Sequence, residues 1–165
     1  MKKPFRFIDP GALIDGDLEL VLRRTVPADR ATGRVPEYQF EMRGLGRVTP
    51  VGSIRLRIGP AVKLRYPGHI GFEVREEYRG RGYAARSCRL IFPLAYAHGL
   101  SAVWLTVDPK NVSSQKTCEI IGAKRVDTVH ISRDHKMYRH GARFRRRYRV
   151  DLRKALSSRG AQATR

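Results

Sequence analysis

The stretch VREEYRGRGYAARS, residues 74–87, constrains the fold more than any other part of the sequence. An alternating segment ends here, two glycines stand among arginines, and a helical period begins at Gly82. A strand that passes directly into a helix leaves several backbone N–H groups unpaired at the helix start, where the helix dipole favours an anion. Gly80 and Gly82 carry no Cβ to hold an anion away from the backbone, and Arg79 and Arg81 add positive charge. The stretch therefore predicts an anion site at a helix N-terminus, although an ordinary strand-to-helix turn explains the glycines equally well.

Two nucleotide-binding fingerprints fit this stretch poorly. The letters GRGYAA satisfy G-x-G-x-x-A, but no Asp or Glu lies about twenty residues further on, as a dinucleotide site requires. The segment also follows a series of strands instead of opening a βαβ unit. A Walker loop is excluded, because no Gly-Lys-Ser/Thr follows the glycines.

The first half of the chain has the period of strands. Alternating apolar and polar residues predict strands over 17–24, 37–43, 51–59 and 68–76. The last three follow one another with short turn signals between them, which is typical of an antiparallel meander. Segment 25–36 is rich in Pro, Gly and charge and predicts a loop or a short helix.

After Gly82 the apolar residues follow a helical stripe, and Gly99 supplies a natural stop. The stripe consists of Ala84, Cys88, Ile91 and Ala95. Pro93 lies inside this pattern and is expected to kink or split the helix, because it lacks a backbone N–H.

The second half predicts one buried strand, a second helix and two closing strands. The corresponding ranges are 101–108, 111–122, 124–131 and 143–152. Asn111 is the expected N-cap of the second helix, with Val112, Cys118 and Ile121 on one side, and Gly122 ends it. The tail, 153–165, offers little to bury and is predicted to be frayed or disordered.

Length and composition indicate a single domain over 1–152 with a basic, flexible tail. The two cysteines show neither a disulfide framework nor zinc-ligand spacing, so we expect no metal. No apolar run approaches the ~20 residues of a membrane span, and we expect a cytoplasmic protein. The net charge of +19 implies an anionic partner, unless a basic proteome or the need for solubility explains the excess.

Two motifs with the expected spacing resemble those of one known family. Arg79-x-x-Gly82-x-Ala84 resembles motif A of the GNAT superfamily of acyl-CoA-dependent N-acyltransferases. Asn111-x-x-Ser114-x-x-x-x-Glu119-x-x-Gly122 resembles its second motif, after the expected apolar strand. The resemblance covers about residues 18–152. It implies an α+β fold in which a central mixed, largely antiparallel sheet is flanked by helices.

The resemblance also implies a cofactor, acetyl-CoA, and the residues that hold it. Its pyrophosphate would lie on the motif-A backbone and its pantetheine arm along the preceding strand, as a pseudo-strand. The residues implied are Phe72, Val74, Arg75, Arg79, Gly80, Arg81, Gly82, Tyr83, Ala84, Asn111 and Ser114.

The implied reaction is direct attack of a primary amine on a thioester, which needs a proton acceptor, an oxyanion donor and a proton for the thiolate. Candidate bases are Glu73, then Glu41 and His69, on strands that would border the cleft. The oxyanion donor would be the backbone N–H of Val74 or Arg75. Many family members place a Tyr acid where this chain has Cys118, so the acid would be Cys118, Tyr138, a water or none.

The acceptor is left open by the sequence. Residues 125–165 hold 13 Lys or Arg against 3 Asp, a net +10, which fits nucleic-acid or ribosome contact or a solvated sheet face. The acceptor can be a small acidic molecule, a peptide or an RNA-associated molecule under this charge distribution. The sequence is also compatible with a homodimer. The alternative from another class is a non-catalytic, basic nucleic-acid-binding module on the same fold.

Overall fold

Eight strands form one mixed sheet with helices against it, and the computed structural model describes residues 3–162. The strands are β1 Leu13–Asp15, β2 Leu18–Val26, β3 Glu37–Gly44, β4 Pro50–Arg57, β5 Ile70–Val74, β6 Ala102–Val107, β7 Lys124–His130 and β8 Phe144–Asp151. The helices are α1 Tyr83–Ala97, α2 Val112–Ile120, α3 Lys136–Arg139 and α4 Leu152–Gln162, with a 3-10 turn Glu76–Tyr78.

The sheet confirms the predicted fold class. Its strand order is β1-β2-β3-β4-β5-β6-β8-β7, and the β5–β6 pair is parallel while the other neighbouring pairs are antiparallel. Each predicted strand and helix is present within a few residues of its expected ends. Of segment 25–36, the first two residues end β2, and residues 27–36 form a loop closed by an isolated bridge between Asp29 and Arg34. The sequence analysis missed β1, α3 and the 3-10 turn, which are too short to show a period.

One face of the sheet buries its alternate residues against α1. Phe40 and Ile54 lie opposite each other on β3 and β4 and are almost fully buried, as are Cys88 and Ile91 of the α1 stripe. Each such side chain contributes about 1.5–3 kcal/mol to stability through burial. The opposite face of β3 and β4 carries charged residues instead, so the sheet has one apolar and one charged face. Val112, which the sequence analysis placed on the buried side of α2, is 60% exposed.

The C-terminal segment corrects the prediction of a frayed or disordered tail. It continues as α4 through Gln162, and Ala155 and Leu156 pack against the core, so the tail is not frayed up to that point. Residues 163–165 of the predicted tail lie outside the described residues. Helix α1 also runs through Pro93 without a break. Pro93 cannot bond to the carbonyl of Arg89 four residues earlier, and Arg159 of α4 donates to that carbonyl instead at 2.8 Å.

The β5–β6 pair is held together at its start and nowhere else. The strands share a single register pair, Ile70 with Leu105. His69, 2% exposed, lies just before it: Nδ1 accepts from the N–H of Trp104 at 3.0 Å, and Nε2–H donates to the carbonyl of Gly59 at 2.9 Å. Gly68, with φ +71°, lets the backbones approach, because a Cβ there would meet the Trp104 carbonyl at 2.7 Å.

We predict that His69→Gln reduces the acid sensitivity of folding. Burial lowers the pKa of His69 below its ordinary 6.5; the Gly59 bond opposes this, and the charge of Arg57 reinforces it. The unfolded chain therefore binds a proton first as pH falls below about 6.5, and stability is lost until the folded-state pKa is passed.

Urea unfolding between about pH 7 and pH 5 measures this effect. His69→Gln should be less stable at pH 7 by about 1–3 kcal/mol, because it disturbs two buried hydrogen bonds. It should nevertheless lose less stability on acidification than wild type. His140→Gln, at an exposed position, is the control and should follow wild type. An equal loss in the His69 and His140 variants would contradict the role given to His69.

We also predict that the effect of Arg159 depends on Pro93. In wild type, Arg159→Ala removes the partner of the Arg89 carbonyl and should cost about 0.5–1.5 kcal/mol. In a Pro93→Ala background the backbone N–H of residue 93 can bond that carbonyl, so the same change should cost much less. A double-mutant cycle by chemical denaturation measures the coupling. If the free-energy costs of the two changes simply add, Arg159 does not substitute for the missing N–H of Pro93.

Candidate active site

The N-terminus of α1 presents unpaired backbone donors, as the sequence predicts. Gly82 is the N-cap with φ +75° and provides no side-chain cap. The Arg86 N–H bonds to the Gly82 carbonyl at 3.1 Å, whereas the N–H groups of Tyr83, Ala84 and Ala85 find no acceptor within residues 3–162. Three donors and a helix of 15 residues therefore point at one place, which suits an anion.

These donors open onto a groove of about 550 Å³, here called the helix groove. It holds most of the residues that the sequence implies for cofactor binding, together with Glu73. Those residues are Phe72, Val74, Arg79, Gly80, Gly82, Tyr83, Ala84, Asn111 and Ser114. Arg75 and Arg81 do not line it, and the Arg81 guanidinium lies 5.5 Å from the ring centre of Tyr78.

A face of α2 forms the other wall of the groove, and most of it was missed. Ser113, Lys116, Thr117 and Ile120 recur at helical spacing along this wall. The period after Asn111 could have revealed them, because they share one face of the helix that Asn111 begins. Asn111 is the N-cap, with Oδ1 accepting from the Ser114 N–H at 3.0 Å.

The end of β5 offers one amide to the groove. The Arg75 N–H bonds to the Val51 carbonyl of β4 at 2.9 Å, so it is not available as an oxyanion donor. Alternation of the strand turns the amide of Val74 the other way, toward the gap between β5 and β6. The Val74 carbonyl accepts from Arg79 Nε at 3.0 Å. Of the two predicted donors, Val74 is therefore the one whose amide is not bonded to β4.

Arg145 occupies the β6 side of the gap. Its Nη2 donates to the Thr106 carbonyl at 2.6 Å and to Thr106 Oγ1 at 3.1 Å. Leu105 is the last residue of β6 that is in register with β5, and Thr106 follows it. Because Arg145 already bonds to the Thr106 carbonyl, that carbonyl is not available for a further hydrogen bond between β6 and β5. The separation of β5 and β6 after Leu105 is therefore maintained by hydrogen bonds within the fold.

A second and larger cavity, of about 840 Å³, opens on the sheet face away from α1 and is here called the cationic cavity. It shares Phe72, Asn111 and Ser114 with the helix groove, so the two spaces meet at the β5–β6 gap. Its lining holds seven cations: Arg24, Arg34, Arg55, Arg57, Lys63, Lys136 and Arg145. The sequence analysis missed this cavity, because these residues lie far apart along the chain.

Two carboxylates stand against these cations in the cavity lining, Glu37 and Asp108. Glu37 pairs with Arg57 at 3.0 Å and lies 3.8 Å from Arg55. Burial lowers the pKa of Arg57, an effect that Glu37 opposes. Burial likewise lowers the pKa of Arg145, and the charge of Asp108 works against that shift. Both guanidinium groups stay charged near neutral pH, since arginine is effectively always protonated in proteins.

Among the predicted bases, Glu73 is the one that lies in the helix groove. It is exposed, and its carboxylate has no hydrogen bond or ion pair within the described part of the chain. Glu41 lies on the same sheet face, two strands away across Ser53, where it pairs with Arg23 and Arg43. Glu41 is therefore engaged, and Glu73 is free.

The other three predicted catalytic residues are not brought to either space. His69 is buried with both ring nitrogens bonded. Cys118 is fully buried in the core, where burial raises the pKa of its thiol to about 12. Tyr138 lies under the guanidinium of Arg143, 3.8 Å from its ring centre, and lines neither space. None of the three side chains lines the helix groove or the cationic cavity, so the structure does not bring them together with Glu73.

Comparisons with known proteins agree with this arrangement. Residues 14–124 match the family model described as an acetyltransferase (GNAT) domain. The comparison with curated protein sequences gives no match. Within residues 3–162, no helix has the length and apolar character needed to cross a membrane.

Solved structures share the fold at low sequence identity. A GNAT-family acetyltransferase from Bacillus anthracis is 18% identical with a TM-score of 0.56, covering 70% of this chain and 66% of its own. The ribosomal-protein-S5-alanine acetyltransferase from Vibrio fischeri is 18% identical with a TM-score of 0.56, and the match covers 70% of this chain and 62% of its own. The microcin C7 self-immunity acetyltransferase, in complex with acetyl-CoA and AMP, is 13% identical with a TM-score of 0.55, and the match covers 70% of this chain and 61% of its own. The chain thus spans just under two thirds of each of these relatives.

We predict that Gly82→Asp abolishes stabilisation by acetyl-CoA. A carboxylate beside the free amides of Tyr83 and Ala84 would repel and displace an anion there, whereas wild type should show a rise in melting temperature. Gly82→Asn tests the backbone strain without the charge and should keep part of the rise.

Gly99→Asp is the matched control for this prediction. Gly99 also has positive φ, +84°, with open space around it, but lies at the other end of α1. Its variant should melt lower than wild type and still respond fully to acetyl-CoA. A full response of Gly82→Asp would show that the α1 amides do not hold the anion.

Proposed function

The chain belongs to the GNAT acetyltransferase family, and from this premise we propose that it transfers an acetyl group from acetyl-CoA to a primary amine, with both bound at once. One observation carries the proposal. The unpaired amides of α1 open onto a groove that shares Phe72, Asn111 and Ser114 with a second cavity beside the β5–β6 gap. A donor and an acceptor can therefore meet in the gap from opposite faces of the sheet.

The residues of the helix groove fit acetyl-CoA. The amides of Tyr83, Ala84 and Ala85 would hold its pyrophosphate, and Arg79 and Lys116 add positive charge to the same groove. The edge of β5 at Phe72 and Val74 offers backbone groups to its pantetheine arm. When bound, acetyl-CoA supplies an activated thioester. The fold of the microcin C7 self-immunity acetyltransferase, described in complex with acetyl-CoA and AMP, supports this assignment.

Two groups of this chain would act on the reacting atoms. The Val74 N–H faces the gap and would donate to the carbonyl oxygen that gains charge during attack. Glu73, free of partners among the described residues, would accept the proton of the attacking amine, directly or through a water. A thiolate with a pKa of about 8.5 leaves readily, so a water can supply its proton and no dedicated acid is required.

The competing interpretation, a non-catalytic nucleic-acid-binding module, gains little from the C-terminal arginines. Three of them are engaged inside the protein: Arg145 with Thr106, Arg146 with Gln115 at 2.6 Å and Arg147 with Asp127 at 2.6 Å. Arginines held by Thr106, Gln115 and Asp127 do not form the open, continuous basic surface that a nucleic acid needs, although Arg145 still lines the cationic cavity. The charged β8 is better explained by support of the neighbouring strand and of the gap.

The direct experiment measures free thiol released from acetyl-CoA in the presence of a panel of amines, with mass spectrometry of the products. The proposal expects amine-dependent thiol release and an acetylated amine of matching mass. Absence of transfer to any amine, together with no change in melting temperature on addition of acetyl-CoA, would refute it.

We predict that Glu73→Gln lowers kcat by about a hundredfold or more and removes the acidic limb of the pH–rate profile. Gln keeps the shape but cannot accept the proton, so the KM for acetyl-CoA should change little. Glu77→Gln, at an exposed position that lines neither space, is the control and should leave kcat unchanged. A wild-type pH profile in Glu73→Gln would remove Glu73 from the mechanism.

A further inference from the structure

The cationic cavity holds more positive charge than its carboxylates neutralise. Its lining has seven cations and two acids, a net charge of +5, and Glu37 is the acid paired with cations. The five cations without an ion pair within residues 3–160 are Arg24, Arg34, Lys63, Lys136 and Arg145. Like charges that share a concave space repel one another, so a bound anion would stabilise this arrangement.

These five cations come from five separate parts of the fold. Arg24 belongs to β2, Arg34 to the loop before β3, Lys63 to the loop before β5, Lys136 to α3 and Arg145 to β8. Alternation along a single strand places charges on one face without any function. It cannot collect charges from five elements around one cavity. The convergence therefore indicates a binding site and not a solvated strand face.

The wall of the cavity next to the gap is partly desolvated. Burial lowers the pKa of Arg57 and of Arg145, and Arg145 contacts Thr106 beside the gap itself. A cation in a region of low dielectric attracts an anion more strongly than the same cation in water does. An anionic group in this cavity would thus be bound close to the reaction.

We propose that the acyl acceptor is a small amine that also carries a phosphate or carboxylate group. The cationic cavity would hold the anionic group, and the amine would reach the gap beside Phe72. This inference rests on the proposed acetyl transfer and names the class of its acceptor. The volume of about 840 Å³ lies in the range of small-molecule sites.

Matched pairs of amines test the acceptor class. Phosphoethanolamine is compared with ethanolamine, and β-alanine with propylamine, in the thiol-release assay, with spermidine as a polycationic amine. The anionic member of each pair should have the higher kcat/KM by about tenfold or more, since one charge-assisted contact is worth about that factor. Equal rates within each pair, or preference for spermidine, would overturn the proposal.

Charge reversal in the cavity supplies the second arm. Lys63→Glu and Lys136→Glu, both at exposed positions, should each raise the KM for phosphoethanolamine by about tenfold and leave the KM for acetyl-CoA unchanged. Lys154→Glu on α4 makes the same change in net charge outside the cavity and should have no effect. An equal loss in all three variants would mean that the general field, not the cavity, attracts the anion.

Failure of this inference can be told apart from failure of the proposed function. If acetyl-CoA raises the melting temperature but no anionic amine is acetylated preferentially, the inference is wrong and the function stands. If acetyl-CoA has no effect, calorimetry with phosphoethanolamine still decides whether the cavity binds an anion that Lys63→Glu weakens. Preferential acetylation of an acidic peptide, or tighter binding of an RNA oligonucleotide at the cavity, would replace the small-molecule acceptor with a macromolecule.

Discussion

β5 and β6 run side by side in parallel, share one register pair at Ile70 and Leu105, and then separate. His69 and Gly68 hold the strands together before that point, and Arg145 occupies the Thr106 carbonyl after it. A sheet that stayed paired would close the passage between its two faces. A sheet that separated earlier would lose the fixed edge of β5. Both proposed binding spaces therefore depend on where this single pairing stops.

The two faces of the sheet treat charge in different ways. On the α1 side backbone amides and a helix dipole, which are fixed in place and carry no net charge, contribute positive potential together with Arg79 and Lys116. On the other side it comes from the side chains of Arg and Lys, which repel one another and need partners. The first arrangement suits a cofactor that every turnover uses. The second depends on what fills the cavity, so in the proposed function it would be the part of the site that selects the acceptor.

The fold and the helix groove could be predicted from the sequence because both depend on local patterns. Strand and helix periods are local, and so is the glycine-rich turn whose backbone forms the α1 end of the helix groove. The acceptor side is not local: Lys63 and Lys136 lie on opposite sides of the buried β6 in the sequence and meet only in three dimensions. Local pattern also does not reveal burial: polarity and motif position indicated catalytic candidates at His69 and Cys118, and the structure places both side chains in the interior, away from the two spaces.

The surplus of cations in the cavity bears on the protonation state of the attacking amine. A primary amine has a pKa near 10.4 and attacks only when neutral. At an effective dielectric constant of about 20, a cation ~6 Å away disfavours the ammonium form by about 3 kcal/mol, or about two pKa units. Arg145 at the gap, with other cations of the cavity behind it, would thus bring an amine toward neutrality before any proton transfer. Glu73 would then accept the proton that the nitrogen loses after attack, directly or through a water, a task that an exposed carboxylate beside the gap can perform.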